Sequence, residues 1–160
     1  MKKEIERKFL VVGEYMDFSI RHTHIIQGYI SSLPERTVRI RIRDDKSFLT
    51  IKGLGTDGGM SRFEWEKEIP LEEGMSLLNL CEPGSIIDKI RYEIPLDKDH
   101  VAEVDEFKGE NEGLVLVEVE LQSIYDKFEV PSWFGEEVTG DIRYYNSMLA
   151  KRPYKLWKSK

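Results

Sequence analysis

The sequence predicts a mainly β (α+β) fold: an eight-stranded antiparallel closed barrel, a tunnel with a charged lumen, with a few short helices outside it and at the C-terminus. Three observations carry this expectation. Segments at 3–11, 23–31, 36–44, 46–53, 61–69, 85–95, 99–108 and 113–121 alternate polar and apolar residues with the period of a strand. Their connections carry turn chemistry, as in Ser31-Ser32-Leu33-Pro34, Asp44-Asp45-Lys46, Gly53 to Gly59 and Gly109 to Gly113, so neighbouring strands are expected to pair antiparallel. The third observation is where the charges fall.

Successive side chains of a strand point to opposite faces, so Arg39, Arg41 and Arg43 share one face and Val38, Ile40 and Ile42 the other. The inversion recurs. Glu4, Glu6 and Lys8 oppose Ile5 and Phe9. Glu64, Glu66 and Glu68 oppose Phe63, Trp65 and Ile69, while Lys89 and Arg91 oppose Ile90 and Tyr92, and Glu118 and Glu120 oppose Val117, Val119 and Leu121. An open sheet would make this a mixed solvated surface, whereas a closed sheet makes it a lined cavity. Eight strands suffice to close a small barrel, and closure removes the exposed edges. The outward apolar face then needs covering. Helices expected over Leu71 to Cys81, near Gln122 to Phe128, and from an N-cap at Asp141 with Ile142, Tyr145 and Leu149 on one stripe, are the available cover, together with Trp133 and Phe134.

Length and composition bound the function. At 160 residues the chain is long enough for one domain with a substantial core, and the segment 1–160 is expected to fold as one. A net charge of −6 argues against a general nucleic-acid binder, so any cationic site must be concentrated. Cys81 is the single cysteine, which precludes an intramolecular disulfide. Its neighbours Leu77, Leu78 and Leu80 favour a buried small apolar residue over a nucleophile. No apolar stretch reads as a signal peptide or membrane span, which makes the cytoplasm the default address and no membrane the expectation. With one Cys and scattered His22, His24 and His100, soft-ligand zinc sites are not available, and a metal would be held by carboxylate oxygen. The Gly53 to Gly59 segment lacks a Gly-x-x-x-x-Gly-Lys-Ser/Thr pattern and reads as a hairpin loop.

The ordered motifs are more specific than any one of them. Glu4-Ile5-Glu6-Arg7-Lys8-Phe9-Leu10-Val11, Gln27-Gly28-Tyr29, Val38-Arg39-Ile40-Arg41, Leu49-Thr50-Ile51-Lys52-Gly53, Phe63-Glu64-Trp65-Glu66, Lys89-Ile90-Arg91-Tyr92, Glu103-Val104-Asp105-Glu106-Phe107 and Val117-Glu118-Val119-Glu120-Leu121 follow one another, and the run continues through Trp133-Phe134-Gly135 and Glu137-Val138-Thr139-Gly140-Asp141 to Tyr144-Tyr145-Asn146. This order resembles the CYTH superfamily, the triphosphate tunnel metalloenzymes. The resemblance implies an eight-stranded antiparallel tunnel that binds a small-molecule triphosphate together with a divalent metal.

The residue chemistry agrees with that implication. A triphosphate needs matched cations: guanidinium forks at Arg39 and Arg41, point charges at Lys8, Lys52 and Lys89, and Arg91, with Arg43 and Arg62 nearer the strand ends. Carboxylates opposite those clamps would repel the phosphates unless a cation bridged them. Glu4, Glu6, Glu118 and Glu120, joined by Glu64 and Glu66, therefore point to Mg²⁺ or Mn²⁺. Asp105 and Glu103 read either as metal ligands or as partners that orient the cations. Lys8 and Tyr29 are the catalytic candidates; the resemblance places Tyr29 at the reacting end of the substrate, and the alternative is a tyrosine that anchors the tunnel mouth. The expected activity is metal-dependent hydrolysis of inorganic tripolyphosphate or a related triphosphate, by in-line attack of an activated water on the terminal phosphorus. Adenylate cyclase chemistry, thiamine triphosphate as substrate, and a non-catalytic polyphosphate-binding module remain alternatives, and homodimerisation is left open.

Overall fold

The computed structural model describes residues 2–157. Eight strands close into a barrel: β1 (Lys2–Val11), β2 (Arg21–Ser31), β3 (Arg36–Arg43), β4 (Lys46–Gly53), β5 (Ser61–Ile69), β6 (Ile87–Pro95), β7 (Val101–Phe107) and β8 (Val115–Glu120). The spatial order is β5-β4-β3-β2-β6-β7-β8-β1, and a β1–β5 pairing completes the ring. Every pairing is antiparallel. The eight expected segments are the eight barrel strands, with ends displaced by at most about two residues, which is ordinary for strand ends read from a pattern.

Closure depends on how β1 divides its partners. Along one edge Glu6 to Leu10 pair with β8, while along the other Lys2 to Ile5 pair with β5. Beyond the point where β5 leaves, a ninth strand, β9 (Phe134–Glu137), takes over that edge opposite Phe9 and Val11. The alternation reading did not include β9. It has four residues, one of them Gly135, too few to display a period.

The apolar layer lies outside the barrel, as the inverted pattern requires. One cluster packs Phe9, Val104, Val117 and Val119 beneath Trp133, Phe134 and Tyr15. A second cluster lies on the other side of the sheet: Ile87, Phe107, Leu116 and Tyr29 share the strand face of Lys89 and Glu118 and pack against Tyr144, Leu149 and Ala150 where the run of charges stops. Ile40 is fully buried on the outward side, and the helix α1 (Leu71–Leu78) packs over β3 and β4. The cover is incomplete. Ile51, Phe63 and Trp65, on the outer face of β4 and β5, remain exposed.

The expected cover differs in two places. Residues 122–128 form turns rather than a helix. The Asp126 carboxylate accepts from the Gln122 N–H at 2.9 Å and the Ser123 hydroxyl from the Tyr125 N–H at 3.2 Å, local bonds that compete with a helical ladder. Asp126 is also drawn to His100 Nε2 at 3.1 Å, while Phe128 packs its ring against Phe9 and Phe134. At the C-terminal end Asp141 does cap, accepting from the Arg143 N–H at 3.1 Å, but the turn is a 3-10 helix over Ile142–Tyr144. The chain extends at Tyr145 (ψ 134°) before α2 (Asn146–Lys151) begins. The break separates the stripe: Ile142 is half exposed, Leu149 is buried, and Tyr145 turns into the barrel. No helix among the described residues is long and apolar enough to cross a membrane.

Candidate active site

A cavity of about 240 Å³ occupies the barrel, and the strand period decides what lines it. β1 contributes Glu4, Glu6 and Lys8, β3 Arg39 and Arg41, β4 Lys52, and β5 Arg62, Glu64 and Glu66. β6 adds Lys89 and Arg91, β7 Glu103, and β8 Glu118 and Glu120. Seven cationic and seven acidic side chains thus face one lumen, while their odd or even neighbours pack outside. The β4–β5 loop and the segment before α2 meet beside it. They meet through two glycines in the left-handed region, Gly59 (φ 87°) and Gly140 (φ 79°); a Cβ on Gly59 would lie 2.2 Å from the Gly140 Cα. Only glycine on both sides permits that approach.

The charges are sorted into short ion pairs. Lys52 Nζ bonds Glu4 Oε1 at 2.8 Å and lies 3.7 Å from Glu64. Lys8 Nζ lies 3.5 Å from Glu118 and donates to the Tyr144 carbonyl at 3.3 Å. Arg39 Nη2 reaches Thr50 Oγ1 at 3.2 Å and Glu66 Oε2 at 3.5 Å, and its Nε is buried with no partner. An unmatched buried guanidinium N–H costs free energy unless a ligand satisfies it. Arg62 donates to the Gly53 carbonyl at 2.9 Å and stacks over Tyr145.

Two of the expected site residues stand apart. Arg43 does not line the cavity; the face it shares with Arg41 continues past the end of the lumen, and its guanidinium covers the Phe48 ring at 4.8 Å. Asp105 lies behind the wall, gripping Arg91 Nε at 2.8 Å and Nη2 at 2.9 Å and Lys89 Nζ at 2.8 Å. Both of its oxygens are engaged by these cations. Glu103 stays on the wall, 3.5 Å from Arg91.

Burial and crowding shift the ionisation of this set. Burial, then the like charges of Glu118 and Glu4, hold the Glu6 carboxyl well above the carboxylate range. Burial opposes ionisation of Glu118 too, but Lys8 and Arg91 outweigh it and keep Glu118 ionised far below its ordinary value. Burial, with Arg39 and Arg91 nearby, lowers Arg41 to about 9. Lys89 falls to about 7 through burial, with Arg91 and Arg41 adding repulsion that Asp105 only partly offsets. Too many cations surround Arg41 and Lys89, and too many carboxylates surround Glu6. A polyanion answers the first imbalance and a hard cation the second.

The donor set fits a divalent cation of that kind. The candidates are oxygen ligands from neighbouring strands, Glu6 standing opposite Glu120 and Lys8 opposite Glu118 in the β1–β8 register. Burial and the like charges of Glu118 and Glu4 disfavour ionisation of Glu6, a repulsion that a bound cation would relieve. Among the described residues no three acidic or soft ligands form a coordination cluster, and lysines pair with Glu4 and Glu118.

Sequence reasoning left three residues without a role, Tyr145 and Asn146 on the wall and Gln27 buried behind it. Gln27, wholly buried, accepts from Arg41 Nε at 2.8 Å and donates to Tyr29 Oη and to Asn146 Oδ1, both at 3.0 Å. Asn146 also accepts from Lys89 Nζ at 2.7 Å. Tyr145 places its ring beside both Lys8 (5.4 Å) and Arg62 (5.2 Å). Gln27 shares its strand face with Tyr29, which signalled it; Tyr145 and Asn146 come from the segment read as one continuous helix, where a break in the chain is not marked by Gly or Pro.

Comparison with known proteins agrees with this architecture. The CYTH domain model matches residues 2–154. A protein of Acetivibrio thermocellus named inorganic triphosphatase is 46% identical over 159 residues, covering 99% of both chains. One of the same name from Nitrosomonas europaea is 38% identical over 151 residues, covering 92% of this chain and 96% of that one. The crystal structure of an inorganic triphosphatase superposes with a TM-score of 0.65 at 35% identity, over 92% of this chain and 97% of the other. With a family model spanning nearly the whole chain and relatives this similar along their full lengths, the chain belongs to the CYTH domain family.

Proposed function

We propose that this protein is a metal-dependent triphosphatase whose preferred substrate is inorganic tripolyphosphate. The observation that carries the reading is the wall itself. Its cations are arranged around a space of about 240 Å³, below the ~300–1,000 Å³ of sites for drug-sized organic ligands. Among the described residues that wall holds no Phe, Trp, Leu, Ile or Val, and its aromatic members are Tyr29 and Tyr145. A nucleobase or thiazolium would find charge where it needs apolar contact, whereas a linear polyanion finds donors along its length. Full-length similarity to two proteins named inorganic triphosphatase supports the same activity.

In this reading Arg39, Arg41, Lys52 and Arg91 hold phosphate oxygens, and they stabilise the charge that spreads over the transferred phosphoryl group in the transition state. The unpartnered Arg39 Nε is the donor such an oxygen would satisfy. Tyr29 Oη accepts from Gln27 and stays free to offer its own proton into the cavity. Lys8, flanked by Glu118 and Tyr145, keeps its positive charge, since Glu118 and Glu6 outweigh burial. Glu4, Glu6, Glu64, Glu118 and Glu120 would hold Mg²⁺ or Mn²⁺, with Glu66, pinned by Thr50 at 2.6 Å, at the edge of that set. The cation supplies Lewis acidity toward the phosphoanhydride and offsets the repulsion between carboxylates and phosphates.

Phosphate release measured from tripolyphosphate, ATP and thiamine triphosphate, with Mg²⁺, Mn²⁺ or EDTA and with cyclic AMP quantified in parallel, tests this. Tripolyphosphate is expected to give the highest kcat/KM and EDTA to abolish turnover. Cyclic AMP from ATP, or equal turnover of all three substrates, would refute the assignment.

A further inference from the structure

The orientation of the Asn146 side chain is fixed by groups that can only donate. Arg41 Nε bonds Gln27 at 2.8 Å, and a guanidinium has no acceptor, so the oxygen of Gln27 faces Arg41 and its amide nitrogen faces the other way. That nitrogen donates at 3.0 Å to Asn146, whose oxygen must therefore face Gln27. Lys89 Nζ, 2.7 Å from the same oxygen, imposes the same choice independently. The usual ambiguity of an amide is removed twice. Asn146 Nδ2 is left with no hydrogen-bond partner among the described residues, is not among the buried unsatisfied atoms, and belongs to a side chain that lines the cavity. Packing holds it there, since Ser147 and Leu149 on either side of the α2 turn are buried.

We infer that Asn146 is a substrate-contacting residue: its amide N–H donates to a phosphate oxygen of the bound triphosphate, while its carbonyl oxygen anchors Lys89 and Gln27 in the wall. The inference rests on the triphosphatase reading for its ligand. It gives the chain extending at Tyr145 a purpose, because that break is what brings Asn146 and Tyr145 to the lumen and leaves Ile142 outside. The cavity then has a neutral donor among its cations.

A double-mutant cycle separates contact from mere anchoring. Asn146→Ala is expected to lower kcat/KM for tripolyphosphate by about 10–100-fold, the range for a hydrogen bond to a charged group. If Asn146 acted only by holding Lys89 and Gln27, the loss would vanish once both are replaced. In a Lys89→Met, Gln27→Leu background the contact predicts a further loss of at least about fivefold from Asn146→Ala. The isosteric Asn146→Asp keeps the acceptor for Lys89 and Gln27, replaces the N–H by an oxygen and adds a negative charge beside Lys89, and is expected to lose activity with a melting temperature no lower than wild type, which excludes misfolding as the cause. Wild-type kcat/KM in Asn146→Asp, or no further loss in the Lys89→Met, Gln27→Leu background, would overturn the inference. Should wild-type protein bind tripolyphosphate by calorimetry yet release no phosphate, the hydrolytic reading falls alone, and the same cycle in binding constants still decides the contact.

Discussion

Replacing Arg41 by Met should make the unliganded protein more stable and the liganded protein less protected, a combination that an ordinary surface or core arginine would not give. The guanidinium is lowered from 12.5 to about 9 by burial and by Arg39 and Arg91. At ~1.4 kcal/mol per tenfold change this sets an upper limit of about 5 kcal/mol on the cost of keeping it charged in the fold. The cost is fully present at neutral pH, since a base with a lowered folded pKa regains stability only as pH rises through about 9. The side chain is only partly buried against solvent, so lumen water screens roughly half of that figure. The Gln27 hydrogen bond lost with it subtracts about another 1 kcal/mol. A net gain of about 1–2 kcal/mol remains, equivalent to a rise in Tm of roughly 2–8 °C.

Ligand protection moves the other way. Tripolyphosphate at a hundredfold excess over Kd stabilises by about 2.7 kcal/mol. Loss of a charge-assisted clamp of ~3 kcal/mol weakens Kd by roughly a hundredfold, and protection falls to about 0.4 kcal/mol. Thermal melts of Arg41→Met and wild type, with and without tripolyphosphate, measure both quantities in one experiment. A variant that melts several degrees lower without ligand yet keeps full protection would show that Arg41 is a structural residue and that the lumen is not the triphosphate site.

Three further outcomes follow from the same geometry. Paired Glu118→Gln and Glu120→Gln changes should abolish metal-dependent turnover with the circular dichroism spectrum unchanged, because neutral amides bind hard cations poorly; residual turnover above about a tenth would remove these residues from the metal set. Ile40→Asp and Val119→Asp should each yield unfolded or aggregated protein, since both positions are fully buried in the outer layer, and soluble expression with a near-wild-type melt would mean the faces are reversed. Glu6→Gln should stabilise the unliganded fold in a pH-dependent way. A carboxyl with a raised folded pKa is protonated in both states below 4.5 and costs stability as pH rises from there toward its folded value, so the gain should be nil at low pH and grow until that value is passed. Urea melts across acid to neutral pH that show a constant difference would refute it.

The barrel was legible because its signal is repeated. A one-residue slip in any strand that carries lumen charges would send them into the apolar layer, so polarity and register fix one another in strand after strand. For the same reason the parity of Glu4, Glu6, Lys8, Arg39, Arg41, Lys52, Glu64, Lys89, Arg91 and Glu118 could be read directly, and all of them face the cavity. Parity carries no information about where a lumen ends or what stands behind its wall. Arg43 obeys the pattern and lies beyond the cavity, and Asp105 obeys it and faces Arg91 and Lys89 rather than open space. Outside the strands the signal is local and weaker. The 122–128 segment has a helical spacing of apolar residues, but Ser123 and Asp126 divert its backbone donors, a competition visible only once His100 is known to hold Asp126.

An inverted barrel stores its charges at a cost and recovers that cost on binding. Its outer layer and the apolar cluster beyond the charged part of the inner face supply the burial that holds the fold, whereas the lumen subtracts from stability wherever like charges crowd, at Arg41 and Lys89 on one side and at Glu6 on the other. These two excesses sit in one cavity and are opposite in sign, yet the protein's own ion pairs do not cancel them: Lys8, Lys52 and Asp105 are already spent on Glu118, Glu4 and the Arg91–Lys89 pair. Only a ligand that brings anionic and cationic charge together relieves both. A polyphosphate with its divalent cation is such a ligand, and either half alone leaves the other excess in place. Binding of tripolyphosphate and of the cation should therefore be strongly cooperative, each raising the other's affinity by the same factor. Calorimetric titration of each in the presence and absence of the other measures that factor, and independent binding would mean that the two charge sets do not share a ligand.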